Sequence, residues 1–423
     1  MPTPAYTSPP APVDNILAYL KWRGDLSFSD APFCEVDNLI LSMVCYLNFE
    51  EIVPSGWDDT IELATAVSEF MHLPEAKQYI GAIIPPDIVK LAKMVTSCRR
   101  FAGTQVAGFI NEVDEERHIQ FCALTYLLPD ETLFIAFRGT DDNIVGWKED
   151  FMLAFITPVP AQIHAVEYLE QAAGAFPDHR FRVGGHSKGG NLSFYAAVHV
   201  SADVQKRLIR AFSNDGPGFM PEFFTEPGYA AVEKRLMTYV PQSSIVGALL
   251  HQPKHCSIIH STQKNILQHD PFSWVVCGAH FVYARNRSAF GARADVTLDR
   301  WIMSLSLEER RIFTQNLFGI ITASGAKTLS DIVSDKLRSA RVIISSFARL
   351  SKQDREIMIR IVHLLLQASR ESAKYIDEPQ SPALPAASQK GKKEDKKAKD
   401  KKAKEIKPKQ KKKPSPKAKA PKK

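Results

Sequence analysis

The chain has 423 residues, 44% hydrophobic and 24% charged, which predicts a largely soluble, globular protein of one or two domains. Its net charge of +7 is concentrated at one end: residues 389–423 contain 18 lysines and 4 acidic residues, which gives +14 there and leaves −7 for residues 1–388. The sequence shows no secretory leader, no apolar run of roughly 18–20 residues and no C-x-x-C pair. These features argue against a secreted, membrane-spanning or disulfide-stapled protein, and they predict reduced thiols and a cytoplasmic location.

In the N-terminal third of the chain, the spacing of apolar residues changes from that of helices to that of strands. Residues 1–13 are rich in proline and alanine, which predicts a flexible arm, and residues 14–98 carry apolar side chains at helical spacing. The segments 105–113 and 118–127 then alternate between apolar and polar residues, as paired strands do. The almost continuous apolar run Leu133–Phe137 is typical of a central strand that is buried on both faces.

The middle of the chain alternates between predicted strands and predicted helices. Strands are expected at 180–184, 208–213, 237–240 and 254–260, with helices at 161–176 and 189–200. This alternation predicts an α/β protein with a mostly parallel central sheet that is covered on both sides.

Beyond the strands, the chain becomes helical and then of low complexity. Capping-box patterns begin at Ser306, Thr328 and Ser351, and each precedes an amphipathic stretch. They predict a helical C-terminal module over residues 296–376, after an α/β domain that spans residues 14–295. Residues 377–423 consist mainly of Pro, Ala, Ser and Lys, which predicts a disordered tail.

A glycine-rich segment, Gly184–Gly190, follows the strand predicted at 180–184 and precedes a predicted helix. It contains the pattern G-x-S-x-G around Ser187. A strand, a sharp turn and a helix form the context in which this pattern presents a serine hydroxyl as a nucleophile. The alternative is a glycine-rich turn without a catalytic role.

A nucleophilic serine also needs N–H donors for the negative charge that develops on the acyl oxygen. The residue after the serine usually supplies one donor, and a loop after an earlier strand supplies the other. Lys188 occupies the first position, and the loop Arg138–Thr140, directly after the predicted central strand, occupies the second.

The segments Phe134–Thr140 and Gly185–Gly190 together resemble class 3 lipases, whose signatures are F-R-G-T and G-H-S-L-G-G. The chain looks still more like a bacterial group of uncharacterised lipase-like proteins. That likeness extends to Phe33–Phe49 and to Gln268–Asp270, and it covers roughly residues 20–290.

The resemblance implies an α/β-hydrolase fold, with helices before the sheet, and an acyl-hydrolase mechanism. It also implies that Thr140 and Lys188 are the oxyanion donors. The resemblance favours a small-molecule or lipid ester as substrate, although thioesters and amides react by the same chemistry, and no cofactor or metal is expected. The likeness does not identify the substrate itself.

The catalytic base is expected among the six histidines that follow Ser187 within the α/β domain, because the order in this fold is serine, acid, histidine. His269 lies in a loop after the strand predicted at 254–260, where the base is expected. The other five lie in or beside a predicted helix or strand.

The catalytic acid is less clearly marked. Class 3 lipases commonly carry it after the second strand beyond the nucleophile, but no carboxylate follows the strand predicted at 237–240. Asp215, at the end of the preceding strand, is the candidate, and the alternative for it is an ordinary turn-forming role. A third hypothesis is that a backbone carbonyl or Ser243 orients His269, which leaves a viable dyad.

Three functional hypotheses follow. The first is a serine esterase or lipase that forms an acyl-enzyme on Ser187. The second is a hydrolase-fold binding protein that has lost turnover. In the third, the tail is the functional element. The tail contains neither Arg nor aromatic residues. It can therefore bind nucleic acid, anionic membranes or other polyanions only through nonspecific charge. A solvated solubility tail is the alternative to any such partner.

Overall fold

An eight-stranded sheet runs through the protein, with its strands in sequential order. The computed structural model describes residues 14–73, 85–334 and 336–377, except for the side chains of 329, 333–338 and 374–377. The predicted N-terminal arm and the lysine-rich segment lie outside these residues. The strands are Ile61–Glu62 (β1), Gln105–Asp114 (β2), Ile119–Leu127 (β3), Thr132–Phe137 (β4), Arg180–His186 (β5), Leu208–Asn214 (β6), Leu236–Pro241 (β7) and Cys256–Ile259 (β8).

Helices precede the sheet, cover both of its faces and continue to the end of the described chain. They are Ile16–Arg23 (α1), Glu35–Val44 (α2), Leu63–His72 (α3), Asp87–Thr96 (α4), Ile144–Met152 (α5), Pro160–Ala175 (α6), Lys188–His199 (α7), Ala202–Arg207 (α8), Pro227–Val232 (α9), Ala289–Met303 (α10), Leu307–Thr322 (α11), Leu329–Ser334 (α12), Lys336–Arg349 (α13) and Lys352–Asp377 (α14). A short hairpin, Val276–Cys277 (β9) and His280–Phe281 (β10), follows β8.

The central strand β4 contributes side chains to two apolar layers, one on each face of the sheet. Its side chains alternate between the faces of the sheet, as in any strand. Phe134 and Ala136 pack with the N-terminal helices, whereas Leu133, Ile135 and Phe137 pack with α6 and α7 on the other face. All five side chains are fully buried, so the continuous apolar run marks a two-sided central strand, as predicted.

The direction of the strands brings the candidate residues to one edge of the sheet. The pairs from β1 to β4 are antiparallel. The pairs from β4 to β8 are parallel. Because parallel strands end at the same edge, the loops after β4, β5, β6, β7 and β8 are neighbours. This mostly parallel sheet, with its flanking helices and C-terminal helical module, confirms the predicted α/β-hydrolase fold.

Candidate active site

Ser187 lies in a sharp turn between β5 and α7. Its backbone has φ 59° and ψ −132°, a conformation that is costly for a residue with a side chain and that surrounding contacts must enforce. Its N–H donates to the carbonyl oxygen of Asn214 at 3.0 Å. Gly189 lets α7 approach β4, because a Cβ there would lie 2.0 Å from the Phe137 oxygen. The turn matches the elbow predicted from the glycine pattern.

The structure brings Asp215 and His269 together. His269 Nδ1 donates to Asp215 Oδ2 at 2.7 Å, and the aspartate side chain is completely buried. Asp215 follows β6 with φ 52°, and its N–H donates to the carbonyl oxygen of Tyr239 at 2.8 Å. The hydrogen bond from His269 Nδ1 to Asp215 leaves Nε2 of the imidazole as the nitrogen that can accept a proton.

The loop after β7, which carries no carboxylate, contributes a hydroxyl to the same acid. Ser244 Oγ donates to Asp215 Oδ2 at 2.8 Å. Ser243 does not orient His269, contrary to one of the hypotheses above: its Oγ lies 2.7 Å from Ser288 Oγ. The Ser243 N–H instead donates to the side chain of Gln268 at 2.6 Å, which fixes the residue next to the histidine.

His186, directly before the nucleophile, supports the backbone of His269. Its Nε2 donates to the His269 carbonyl oxygen at 2.9 Å, and the two rings lie 4.5 Å apart. The Tyr46 hydroxyl lies 3.2 Å from the other ring nitrogen. Burial, with His269 close by, lowers the pKa of His186 well below its ordinary value, so this ring is neutral and adds no charge beside His269.

The loop after β4 lies directly against the elbow. A Cβ on Gly139 would lie 2.5 Å from the His186 oxygen and 2.9 Å from Ser187 Cβ, so only glycine permits this approach. The next N–H, that of Thr140, donates to no described group. The N–H of Lys188 is the first in α7 and has no acceptor within the helix. The two predicted oxyanion donors therefore have unused N–H groups, one in the loop against the elbow and one directly after the serine.

The side chains of Thr140 and Lys188 both contact α5. Thr140 Oγ1 donates to Asp150 Oδ2 at 2.6 Å. Lys188 Nζ donates to Glu149 Oε2 at 2.9 Å, and both of these side chains are completely buried. Burial raises the pKa of Asp150 to about 6, although Lys188 and the Thr140 hydroxyl act in the opposite direction.

Ser187 Oγ itself makes no hydrogen bond to any group within residues 14–73, 85–334 and 336–377. In the same ranges, no cluster of three or more His, Cys, Asp or Glu side chains is arranged to bind a metal ion. Over the described part of the chain, no helix is both long and apolar enough to span a membrane.

Residues 95–319, more than half of the chain, match the sequence model of the Mbeg1-like family. This chain belongs to the Mbeg1-like family. The matched region contains Thr140, Ser187, Asp215 and His269, so the family unit includes the whole candidate site. No curated protein sequence matches the chain.

Several solved lipase structures are similar to this member of the Mbeg1-like family at low identity. M37 lipase is 15% identical over 50% of this chain and 68% of its own, with a TM-score of 0.34. The propeptide complex of Rhizomucor miehei lipase is 15% identical over 43% of this chain and 68% of its own, with a TM-score of 0.29. A fungal lipase in complex with an inhibitor is 13% identical over 62% of this chain and 98% of its own, with a TM-score of 0.33. The parallel order of β4 to β8, with helices on both faces of the sheet, identifies the fold.

Sequence reasoning missed four residues that complete the site in this member of the Mbeg1-like family. Ser244 donates to Asp215 and His186 to the backbone of His269, whereas Glu149 and Asp150 accept from Lys188 and Thr140. His186 is part of the glycine-rich motif, so its position gave a signal. Ser244 and Glu149 contact their partners across 29 and 39 positions and Asp150 across 10, and none of the three carries a local signature.

Proposed function

We propose that this protein is a serine hydrolase that cleaves carboxylic esters through an acyl-enzyme on Ser187. The observation that carries the proposal is the hydrogen bond of 2.7 Å from His269 to the buried Asp215, at the sheet edge where the Ser187 elbow lies. An acid, an imidazole and a strained serine turn at one edge are the parts of a catalytic triad.

The proposed reaction uses these groups in two half-cycles, acylation of the serine and hydrolysis of the acyl-enzyme. His269 Nε2 takes the proton of Ser187 Oγ as the oxygen attacks the ester carbonyl carbon, and the N–H groups of Thr140 and Lys188 bind the resulting oxyanion. The carbon–oxygen bond to the alcohol then breaks, and His269 returns the proton to the departing alcohol. Water repeats the sequence on the acyl-enzyme and releases the carboxylic acid.

The main alternative is a hydrolase-fold protein that binds a ligand without turnover. Its support in the sequence was the lack of a carboxylate after β7. A carboxylate nevertheless contacts His269 from the end of β6, and Ser244 of the loop after β7 donates to it. This arrangement favours the enzyme over the inactive binding protein.

Reaction with a fluorophosphonate probe tests the proposed function. The folded protein should form a covalent adduct on Ser187, and the Ser187→Ala variant should form none, because the probe reacts only with an activated serine. Hydrolysis of p-nitrophenyl butyrate by the same samples provides the second measurement. A folded wild-type protein that neither labels nor hydrolyses this ester is not a serine hydrolase.

Exposed apolar side chains beside the base support an ester with an apolar acyl chain. Ile266 and Leu267 are 59% and 62% exposed, and they immediately precede Gln268 and His269 in the same loop. Exposed aliphatic side chains gain free energy when an apolar ligand covers them. We therefore expect the substrate, or an aggregate of it, to contact this loop, whose two aliphatic residues we name the apolar lip.

The double substitution Ile266→Ser and Leu267→Ser is expected to lower activity selectively. Hydrolysis of micellar p-nitrophenyl palmitate should fall about tenfold, since covering two half-exposed aliphatic side chains contributes on the order of 1–2 kcal/mol. Hydrolysis of soluble p-nitrophenyl acetate should change less than twofold.

Ile344→Ser is the matched control for the apolar lip. Ile344 lies on α13 and is 70% exposed, so its loss removes exposed apolar surface comparable to that of one residue of the lip, from a helix outside the loops of the candidate site. Equal losses on both esters, or an equal effect of the control, would show that the lip does not contact the acyl chain.

A further inference from the structure

The residue after the nucleophile has an unusual side chain for its position. The class 3 lipase signature has leucine there, whereas this chain has Lys188. The ammonium group is completely buried and donates to the carbonyl oxygen of Gln120 at 2.7 Å, to its side-chain oxygen at 2.6 Å and to Glu149 at 2.9 Å. All three donors of the lysine are therefore used, each at a defined position.

Such a pair is not explained by stability alone. Removing two charges from water costs about as much as their attraction returns, so apolar residues of similar volume often serve equally well or better. What a fully hydrogen-bonded buried pair adds is a fixed geometry. The group whose geometry is fixed in this case is the residue that supplies one of the two proposed oxyanion donors.

Glu149 is itself fixed by the elements around it. Its Oε1 accepts the N–H of Ala161 in the first turn of α6 at 2.8 Å, and its Oε2 also accepts the N–H of Gln120 from β3 at 3.3 Å. The carboxylate therefore joins β3, α6 and the start of α7. Its position is therefore fixed, and it holds the Lys188 ammonium group in place.

The opposite side of α5 is attached to the C-terminal helices. The Ile144 N–H donates to the carbonyl oxygen of Lys327 at 2.9 Å, and the rings of Phe151 and Phe318 lie 5.4 Å apart. The buried Arg310 of α11 donates to the carbonyl oxygen of Ala154, just after α5, at 2.7 Å. The helix is therefore anchored on both sides.

We infer that Glu149 is a positioning residue, which fixes the Lys188 N–H at the oxyanion through the buried ion pair with the Lys188 side chain. Its neighbour Asp150 binds Thr140 in the same way, so one turn of α5 sets the distance between the two donors. This inference rests on the proposed serine hydrolase function. It assigns to α5, and to the C-terminal helices that anchor it, a role in the geometry of the reaction.

The inference predicts an effect on kcat and not on KM. Oxyanion donors must lie about 2.7–3.1 Å from the charged oxygen, and they act mainly in the transition state. Loss of a whole donor lowers kcat about 10²–10³-fold. A donor that is still present but no longer fixed should cost less, roughly tenfold to a hundredfold.

The test is the double variant Lys188→Met with Glu149→Gln. Methionine fills the lysine channel without a charge, and glutamine keeps an oxygen for the Ala161 N–H, so both charges of the ion pair are removed together and Asp150 alone loses the attraction of Lys188. We expect kcat for p-nitrophenyl butyrate to fall tenfold to a hundredfold with KM within twofold. Affinity for an alkyl boronic acid, which forms a tetrahedral adduct with the serine, should fall by a similar factor.

Glu149→Asp is the second variant, in case the double variant does not fold. It keeps both charges but withdraws the carboxylate by one methylene, so we expect a folded protein with kcat lowered threefold to tenfold and an unchanged KM. The matched control is Arg182→Met with Asp130→Asn, which removes an ion pair of 3.5 Å at the opposite end of β5. It should lower the thermal midpoint without changing kcat.

The outcomes separate the two proposals. If the wild-type protein hydrolyses the ester and labels at Ser187, but the folded variants keep wild-type kcat and boronate affinity, Glu149 is only a structural residue and the inference is wrong. If the wild-type protein itself neither labels nor hydrolyses, the proposed function fails and the inference fails with it. A selective fall of kcat and boronate affinity, absent from the control, supports both.

Discussion

Replacing Asp215 with asparagine is expected to lower kcat for ester hydrolysis about 10⁴-fold, with KM within a few-fold of wild type. The acid receives two donors at one oxygen, from His269 Nδ1 and from Ser244 Oγ, so an acceptor is required there. An asparagine that keeps its oxygen at this position accepts both bonds but lacks the negative charge that stabilises the imidazolium, and one that is turned presents its NH₂ group to the ring. With the amide facing the ring, His269 carries its proton on Nε2, which can then no longer accept the serine proton.

Asp270→Asn is the matched control, because Asp270 is next to His269 in the chain but does not bond its ring. Its Oδ1 instead accepts the N–H of Phe272 at 3.0 Å, and asparagine caps a short turn equally well. We expect a change of less than threefold. The measurements are kcat and KM with p-nitrophenyl butyrate, together with the rate of fluorophosphonate labelling. An active Asp215→Asn protein would exclude Asp215 as the acid.

The strands and the elbow could be predicted because their signals are local. Alternating or continuous apolar residues placed the strand at 133–137, and the structure has it at Thr132–Phe137. The glycine pattern placed the turn at Ser187, since a close approach of strand and helix leaves no room for a Cβ at Gly189. His269 was found from its position after β8, which the order of the fold dictates.

The interactions that connect these elements could not be predicted, because their partners lie far apart in the sequence. Glu149 and Lys188 are separated by 39 positions, and Ser244 and Asp215 by 29. Charged residues are mostly exposed, so a run such as Lys148-Glu149-Asp150 favours an ordinary surface assignment. Only the fold shows that two of these three side chains point toward the interior.

The helix α5 was itself missed for the same reason. An amphipathic helix is recognised by one apolar stripe. This helix instead contacts β3 and the first turns of α6 and α7 through Glu149, and α11 through Phe151. Its side chains meet different neighbours on several sides, so no single stripe results. The contacts that connect α5 to several elements therefore also prevent its recognition from apolar periodicity.

Asp150 is expected to lower stability at neutral pH while it supports activity. Burial raises the pKa of its carboxyl to about 6, from an ordinary value near 3.9, and one carboxylate oxygen has no hydrogen-bond partner among the described residues. A pKa that is higher in the folded state means that ionisation destabilises the fold. This cost is complete above about pH 6 and disappears as the pH falls toward 4, where the folded and unfolded forms are both protonated.

Asp150→Asn should therefore raise the free energy of unfolding by about 1–3 kcal/mol at pH 8, and by almost nothing at pH 4. The same change should lower kcat roughly tenfold to a hundredfold, because the Thr140 hydroxyl loses its charged acceptor and its N–H is no longer fixed. Urea unfolding at the two pH values measures the first effect, and ester hydrolysis measures the second.

Glu309→Gln provides a control with the opposite sign. The hydrogen bond from the Ser306 N–H, at 2.9 Å, lowers the pKa of the Glu309 carboxyl below its ordinary value. Its neutralisation should cost stability at pH 8, because the N–H at the start of α11 loses its charged acceptor. If Asp150→Asn also loses stability at pH 8, its carboxylate is stabilised in the fold by Lys188 and Thr140, and the balance between stability and activity proposed for α5 is wrong. A gain in stability with a loss of kcat would instead show that the buried charge is retained for the reaction and not for the fold.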